Sequence, residues 1–228
     1  MYRLPTLSAL SALVALCLAA AGTLTPQGAW ANGCRQPLSP LIDNGCVVTP
    51  GVLWRGARPA EAGIEALLDQ GVATVVNLQT LHDDLDAFEA ARPARADRPV
   101  VRYFRVREWE PNVVIARRAL DDSVARFLAI MWSQPRPVYV HCRAGENRTG
   151  VMVGAWRILG EGMAVDQAVA EMQAYDGLWS RQDARYLRSL NGPRAEALRQ
   201  RARSLQWSMA PEAVLVCGPE GCRPVHRR

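Results

Sequence analysis

The stretch Val138–Trp156, VYVHCRAGENRTGVMVGAW, decides the fold of this chain. PVYVHC, residues 137–142, predicts a buried central strand that ends at His141, where Cys142 opens the turn, and residues 149–162 predict a helix. A short polar loop with an arginine at each end joins the two elements. The central question is whether Cys142 is a structural thiol in a turn or a nucleophile in an anion-binding loop.

The loop has the composition of an anion-binding cradle. A strand–loop–helix turn aims several backbone N–H groups inward, and the helix adds the positive end of its dipole. Gly145 allows close backbone approach, and Arg148 can curl back to hold two oxygens of a tetrahedral dianion. The same field favours the nucleophilic thiolate form of Cys142. Thr149 is placed to donate a hydroxyl hydrogen bond to that sulfur.

This loop also resembles that of a known family. HCRAGENRTG, residues 141–150, has the His-Cys-x5-Arg-Ser/Thr pattern of the cysteine-dependent phosphatases and most resembles their compact dual-specificity branch. Supporting pattern comes from VLWRGARP (52–59), GVATVVNLQ (71–79) and the pair Glu171–Met172, which look like small bacterial members. The resemblance covers roughly residues 50–190.

The resemblance implies a role for each loop residue. Cys142 would form a phosphocysteine, and Arg148 would bind the phosphate and stabilise its transition state. His141 would bond the backbone near the loop and would not act as a base. The residues implied to line the phosphate site are Arg143, Ala144, Gly145, Glu146, Asn147 and Thr149. Arg55 and Arg58, in WRGARP, are candidates for the flank of the pocket.

The sequence does not identify the general acid uniquely. The family protonates the leaving group with a carboxylic acid, usually aspartate, on the loop before the helix that precedes the cysteine strand. That region, VREWEPNVVIARRALDDS, has no aspartate before Asp121. Glu110 is the first candidate, and Asp122 and Glu108 are the alternatives. Each could instead be a surface charge or a helix-capping residue.

The rest of the chain predicts one α/β domain. Strand patterns at 52–59, 72–79, 100–106 and 137–142 alternate with helical patterns, among them 60–71, 113–132 and 165–175. The acidic DDS segment could instead start a shorter helix after a longer loop. This alternation favours a mainly parallel central sheet with helices on both faces, similar to a dual-specificity phosphatase. We assign residues 32–50 to an irregular arm, 51–208 to the phosphatase domain and 209–228 to a C-terminal tail.

The first 31 residues have the pattern of an export signal. Arg3 supplies a positive start, an apolar stretch follows, and AWA at 29–31 fits a cleavage site before Asn32. A retained membrane anchor is the alternative, but serines and Gly22 interrupt the apolar run. We therefore expect a periplasmic or secreted protein with no stable membrane anchor after cleavage.

The cysteine count fits an oxidising compartment. Removal of the leader leaves Cys34, Cys46, Cys142, Cys217 and Cys222, and an odd number suggests disulfides with one free thiol. The local pairs Cys34–Cys46 and Cys217–Cys222 are the simplest arrangement, and the sequence equally allows cross-pairing. Either arrangement leaves Cys142 free.

Composition excludes some function classes. The chain has 228 residues and a formal net charge of +5, and all 27 basic residues are arginine. Lysine-based Schiff-base chemistry is therefore excluded. No dense basic helix or aromatic RNA-binding pattern is present, so nucleic acid is not an expected partner. The three histidines lack ligand spacing, so we expect no metal or other cofactor. The oligomeric state is left open.

These features predict an exported phosphomonoesterase that works through a phosphocysteine. The expected partner is a phosphorylated substrate, either a phosphoprotein or an inositol phosphate. A catalytically weak phosphate-binding module is the alternative, because the usual aspartate is missing. A rhodanese-like sulfurtransferase, which also uses a cysteine loop, fits the Arg-Thr-Gly ending poorly.

Overall fold

Four parallel strands form the centre of the sheet. The computed structural model describes residues 34–227 except Arg95, Ala96, Arg98 and Asp176. Within these residues the sheet has seven strands in the order β1-β2-β5-β3-β4-β6-β7. The strands are β1 (Cys46–Thr49), β2 (Leu53–Ala57), β3 (Thr74–Asn77), β4 (Val100–Arg105), β5 (Val138–Cys142), β6 (Ala213–Gly218) and β7 (Gly221–Arg227). The pairs β2–β5, β5–β3 and β3–β4 are parallel, whereas β1, β6 and β7 pair antiparallel at the two edges.

Helices cover both faces of this sheet. They are α1 (Glu61–Asp69), α2 (Leu85–Ala90), α3 (Asn112–Ile115), α4 (Arg117–Ser133), α5 (Asn147–Leu159), α6 (Val165–Gln173), α7 (Ser180–Arg188) and α8 (Gly192–Leu205). Val75 packs in the apolar cluster that contains α1 and α2, and its neighbour Val76 packs in the cluster that contains α4 to α8. Since successive strand residues point to opposite faces, the two helical layers lie on opposite sides of the sheet. The predicted fold class is confirmed.

Burial on both faces explains the composition of the central strands. Every residue of β2, β3 and β5 is buried. Strands covered on both sides read as continuous apolar and β-branched runs, which is the pattern that predicted them. The order of the strands places the carboxyl end of β5 between those of β2 and β3.

Three local features bear on the sequence-based expectations. The long helix begins at Arg117, so Asp121 and Asp122 lie within its first turns and do not start a shorter helix. The segment assigned as a C-terminal tail forms β6 and β7, and β6 pairs with β4. This pairing covers an edge of β4 that would otherwise present free backbone groups. The end of the assigned arm likewise contains β1.

Both disulfides follow the local pairing. Cys34 bonds to Cys46, and Cys217 bonds to Cys222 across the β6–β7 hairpin. Cys142 is the free cysteine of the described chain and is buried. The predicted leader, residues 1–31, lies outside the described residues. Among the residues that are described, no helix has the length and apolar character needed to cross a bilayer.

The disulfide arrangement predicts the result of a thiol titration. Protein lacking residues 1–31, denatured without reductant, should expose one titratable thiol, because the other four cysteines are paired. After reduction the count should rise to five. Ellman's reagent gives both values, and none or five thiols before reduction would contradict the pairing.

Candidate active site

Cys142 is the last residue of the central strand β5. It pairs with Ala57 of β2, and the preceding His141 pairs with both Gly56 of β2 and Asn77 of β3. Its side chain is 2% exposed. Helix α5 begins at Asn147, so its N-terminus closes the loop that starts at Cys142. The thiol therefore lies where a helix dipole favours negative charge.

The loop carbonyl groups are held from outside the loop. Three consecutive carbonyl oxygens each accept a hydrogen bond from the segment 44–58: that of Arg143 from the N–H of Arg58 (3.2 Å), that of Ala144 from Nδ2 of Asn44 (2.9 Å), and that of Gly145 from Nη2 of Arg55 (2.5 Å). In a trans peptide the N–H points away from the C=O. The N–H groups of residues 144–146 are consequently turned away from segment 44–58, and adjacent N–H groups of this kind form an anion-binding concavity.

Gly145 is required by this close packing. Its φ is +75°, in the left-handed region, and a Cβ there would lie 2.5 Å from the carbonyl carbon of Gly56 and 2.6 Å from the N of Ala57. Only glycine adopts this conformation at such a distance from another backbone. Gly145 is therefore a structural requirement of the loop.

Arg148 extends from the first turn of α5 across to the neighbouring loops. Its Nε lies 3.3 Å from Oε1 of Glu110, and its Nη1 donates to the carbonyl oxygens of Leu78 (3.4 Å) and Glu108 (3.3 Å). The arginine side chain is 14% exposed and that of Glu110 is 36% exposed. These contacts hold the guanidinium beside the loop and bring the first-ranked acid candidate next to it.

Three carboxyl groups line one cavity beside Arg148. They belong to Glu108, Glu110 and Asp183, and Asn147 lines the same cavity. Burial raises the pKa of Glu108, and interactions with Ser123, Asn112 and the charge of Arg148 only partly oppose this. Burial also raises the pKa of Asp183 to about 7, opposed by a 3.0 Å hydrogen bond from Asn147 and reinforced by the charge of Glu110. Near neutral pH this cavity therefore holds a carboxyl that is partly protonated.

Asp122, the other acid candidate, points elsewhere. It forms an ion pair with Arg201 of α8. The adjacent Asp121 accepts hydrogen bonds from Tyr186 (2.8 Å) and Arg194 (2.7 Å). The structure thus brings Glu110 and Glu108 to Arg148 and leaves Asp122 on the face of α4 that packs against α8.

The remaining predicted site residues are placed as follows. Arg143 and Ala144 are exposed, Glu146 is partly exposed and Asn147 is buried. Thr149 is fully buried, and its hydroxyl has no hydrogen-bond partner among the described residues. The predicted hydrogen bond from this hydroxyl to the sulfur of Cys142 is not formed in the structure. The side chain of Arg58 is exposed, and its backbone N–H donates to the carbonyl oxygen of Arg143. Arg55 is buried under the loop.

His141 belongs to a buried polar network. Its Nε2 lies 2.9 Å from Oδ2 of Asp84, and its Nδ1 lies 3.4 Å from the carbonyl oxygen of Cys142. Asp84 also accepts hydrogen bonds from Asn77 (3.0 Å) and Tyr103 (3.1 Å). Burial alone would raise the pKa of Asp84, but His141 and these two donors outweigh it and leave the pKa below its usual value. The network orients the strand end that carries Cys142.

Sequence reasoning missed two contributors. Asp183 lies 41 positions beyond Cys142, in α7, and no local motif marks it. Asn44 lies in the irregular arm, where an asparagine is an ordinary turn residue. Its φ of 53°, which non-glycine residues seldom adopt, is visible only in the structure.

Comparison with known proteins identifies the family. The model of the PTP-NADK family, described as a DSP-PTPase phosphatase fused to NAD+ kinase, matches residues 47–188, more than half of the chain. The chain therefore belongs to this family and to the cysteine-dependent phosphatase superfamily. The predicted resemblance is confirmed.

Individual relatives agree with this assignment. The dual specificity protein phosphatase TpbA of Pseudomonas aeruginosa is 31% identical over 157 residues, 68% of this chain and 63% of TpbA. A probable chloroplastic NAD kinase 2 of Oryza sativa is 31% identical over 107 residues, 46% of this chain and 10% of the relative. The chain thus spans less than two thirds of either protein. The catalytic core of the PP-IP phosphatase SIW14 from S. cerevisiae has the same fold, with a TM-score of 0.53, 16% identity, and coverage of 77% and 98% of the two chains.

The packing of Gly145 yields a stability prediction. Gly145→Ala should lower the free energy of unfolding by about 1–2 kcal/mol for the left-handed backbone and by about 1–3 kcal/mol more for the clash with Gly56. Gly162→Ala is the matched control, because Gly162 has a φ of +73° and no atom within 4 Å of its would-be Cβ. Urea denaturation measures both variants. Equal losses would contradict the close-approach argument.

The buried pair Asp84–His141 predicts an acid-dependent loss of stability. The folded-state pKa of Asp84 is below its unfolded value of about 3.9, so its contribution is complete above that value and is lost as the pH falls through the folded pKa. Asp84→Asn should lower the free energy of unfolding at pH 7 by about 1–3 kcal/mol and flatten its decline below about pH 5. Exposed Asp86→Asn is the control, with an expected change within about 0.5 kcal/mol. Parallel pH profiles for wild type and Asp84→Asn would rule out the assigned role.

Proposed function

We propose that this protein is an exported phosphomonoesterase that hydrolyses phosphate esters through a phosphocysteine. One observation carries the proposal: Cys142 lies at the start of a loop in which three consecutive carbonyl groups, those of residues 143–145, bond outward, and Arg148 at the end of that loop extends to Glu110 and to the chain after β3. A loop of this kind binds a tetrahedral oxyanion and directs it at the sulfur.

The first step transfers the phosphoryl group to sulfur. The thiolate of Cys142 attacks phosphorus, an S–P bond forms, and the bond from phosphorus to the ester oxygen breaks. The N–H groups of the loop and the guanidinium of Arg148 hold the equatorial oxygens, on which charge is spread in the transition state. Glu110 gives a proton to the departing oxygen.

The second step restores the enzyme. Water attacks the phosphocysteine, Glu110 accepts a proton from that water, and the S–P bond breaks to release inorganic phosphate and the thiolate. Glu110 is the favoured acid because it combines a contact to Arg148 with partial exposure, which lets it reach a bound ester. Bound phosphate would compete for the Nε of Arg148, which would free Glu110 for proton transfer.

A phosphoprotein is the favoured substrate. The names of the relatives include a dual specificity protein phosphatase and a PP-IP phosphatase, so both substrate classes are candidates. The loop has one extra arginine, Arg143, and an acidic residue, Glu146. The charges of Arg143 and Glu146 cancel, so the two residues add no net positive charge to the loop. A densely phosphorylated inositol needs several additional cations and is therefore a poor fit.

The leader pattern and the two disulfides support the proposal that the protein is exported. The leader pattern ending at Ala31 supports translocation, and two disulfides support a location in the periplasm or outside the cell.

Turnover by variants tests the mechanism. Wild type should hydrolyse p-nitrophenyl phosphate and a phosphoserine peptide, and Cys142→Ser should lose turnover and still bind tungstate. Arg148→Met should lose turnover and tungstate binding together. Glu110→Gln should lower kcat by about 10²–10⁴-fold on the peptide and less on p-nitrophenyl phosphate, whose leaving group needs little protonation.

Two comparisons sharpen this test. Glu108→Gln and Asp122→Asn report on the alternative acids, and a loss of kcat in Asp122→Asn with none in Glu110→Gln would refute the assignment of Glu110. Tungstate binding by wild type without turnover of any ester would favour the phosphate-binding module instead. Binding is measured by calorimetry and turnover by phosphate release.

A further inference from the structure

The N-terminal segment of the described chain is folded against the back of the catalytic loop. Residues 34–46, here called the disulfide-closed arm, are joined end to end by the Cys34–Cys46 bond. Inside the arm the N–H of Leu38 donates to Gly45 (3.1 Å), and just beyond it the N–H of Val47 donates to Gln36 (2.9 Å). The arm is therefore a defined structure and not a free tail.

The arm reaches the loop through Asn44. Its side-chain amide donates to the carbonyl oxygen of Ala144, 100 positions away, at 2.9 Å. The backbone of the adjacent Asp43 accepts from the N–H of Ala57 at 2.8 Å, which docks the arm on the end of β2. Asn44 thus fixes one of the three outward carbonyl groups from a position that the disulfide encloses.

Arg55 supplies a second connection from beneath the loop. Its side chain is fully buried and Nη2 donates to the carbonyl oxygen of Gly145, while Nε and Nη1 have no hydrogen-bond partner within the described part of the chain. A buried guanidinium with unsatisfied donors is unfavourable unless a negative charge lies nearby. Burial lowers the pKa of Arg55, and electrostatic interactions with Tyr175, Cys142 and Glu171 oppose this. A thiolate at Cys142 would therefore supply a compensating negative charge for Arg55.

The disulfide and Arg55 meet at one side chain. The guanidinium carbon of Arg55 lies 3.3 Å from the centre of the Tyr175 ring, a cation–π contact. Tyr175 also packs against the disulfide, since Tyr175, Cys34 and Cys46 form one buried apolar cluster. The bond between the two sulfurs therefore supports Tyr175, which supports Arg55, which in turn holds Gly145.

We propose that Asn44 and Arg55 are positioning residues of the catalytic loop and that the Cys34–Cys46 disulfide holds both in place, so that breaking this bond weakens oxyanion binding and lowers the reactivity of Cys142. The inference rests on the proposed function, because the loop concerned is the one proposed to bind the phosphate. A dithiol reductant would supply the change by converting the disulfide to two thiols while being oxidised to its own disulfide.

Matched disulfide variants test the proposal. Cys34→Ser/Cys46→Ser should weaken tungstate binding by about 3- to 10-fold, the equivalent of one or two lost hydrogen bonds. Cys217→Ser/Cys222→Ser removes the other disulfide, which lies in the β6–β7 hairpin, and should leave tungstate affinity unchanged. Calorimetry is done in one buffer on protein that circular dichroism shows to be folded. Equal effects of the two pairs, or no effect of either, would overturn the role of the Cys34–Cys46 bond.

Single substitutions test the two positioning residues. Asn44→Ala should weaken tungstate binding by about 3- to 10-fold. Arg55→Met should also shift the pH midpoint for alkylation of Cys142 by iodoacetamide upward, because the thiolate loses its buried counter-charge, and Arg55→Lys should restore part of that shift. If Arg55→Met does not fold, Arg55→Lys and Asn44→Ala provide the test of the two positioning residues. An unchanged midpoint and unchanged affinity in these variants would refute the proposal.

These readouts separate the inference from the proposed function. Tungstate affinity and alkylation of Cys142 need no turnover. If wild type binds tungstate but hydrolyses no ester, the phosphomonoesterase proposal fails while the binding data still judge Asn44 and Arg55. If wild type hydrolyses esters and the variants match it in affinity, alkylation, KM and kcat, the inference fails alone.

Discussion

The orientation of three consecutive peptide groups, those after Arg143, Ala144 and Gly145, is the constraint on which the site depends. A backbone carbonyl oxygen needs a hydrogen-bond partner from the protein or from water. Donors from segment 44–58 meet that need. Because each carbonyl group points toward segment 44–58, the N–H groups of the same peptides face the opposite side. There they can donate hydrogen bonds to an oxyanion. Gly145 is the one residue that permits the necessary approach to β2.

A second constraint acts on the strand that carries Cys142. His141, Asp84, Asn77 and Tyr103 form a buried polar network that links the ends of β3, β4 and β5 to the chain after β3. His141 lies 2.9 Å from Asp84, and Asn77 and Tyr103 donate to the same carboxyl oxygen. These contacts tie the end of the strand that carries Cys142 to its neighbours in the sheet.

Acid–base behaviour is set by the crowding of carboxyl groups around Arg148. One guanidinium contacts Glu110 directly and lies close to Glu108, while Asp183 lines the same cavity. Burial raises the pKa values of Glu108 and Asp183, and the charge of Glu110 adds to the rise at Asp183. A cavity with this property can hold a proton near neutral pH, as the pKa of about 7 for Asp183 indicates. More than one side chain of this cavity can hold a proton, so the absence of the usual aspartate does not exclude the proposed proton transfer.

The sequence alone determined the fold class, the candidate nucleophile and the candidate phosphate-binding arginine. These follow from local pattern, since a buried strand, a six-residue spacing from Cys142 to Arg148 and a helix are contiguous in the chain. Tertiary structure decided which carboxyl groups reach Arg148, how the cysteines pair, and which residues hold the loop. Asn44, Arg55 and Asp183 act from 100, 90 and 36 positions away from their loop partners Ala144, Gly145 and Asn147. No periodicity or motif records contacts of such separation, because they exist only once the strands have been ordered in the sheet.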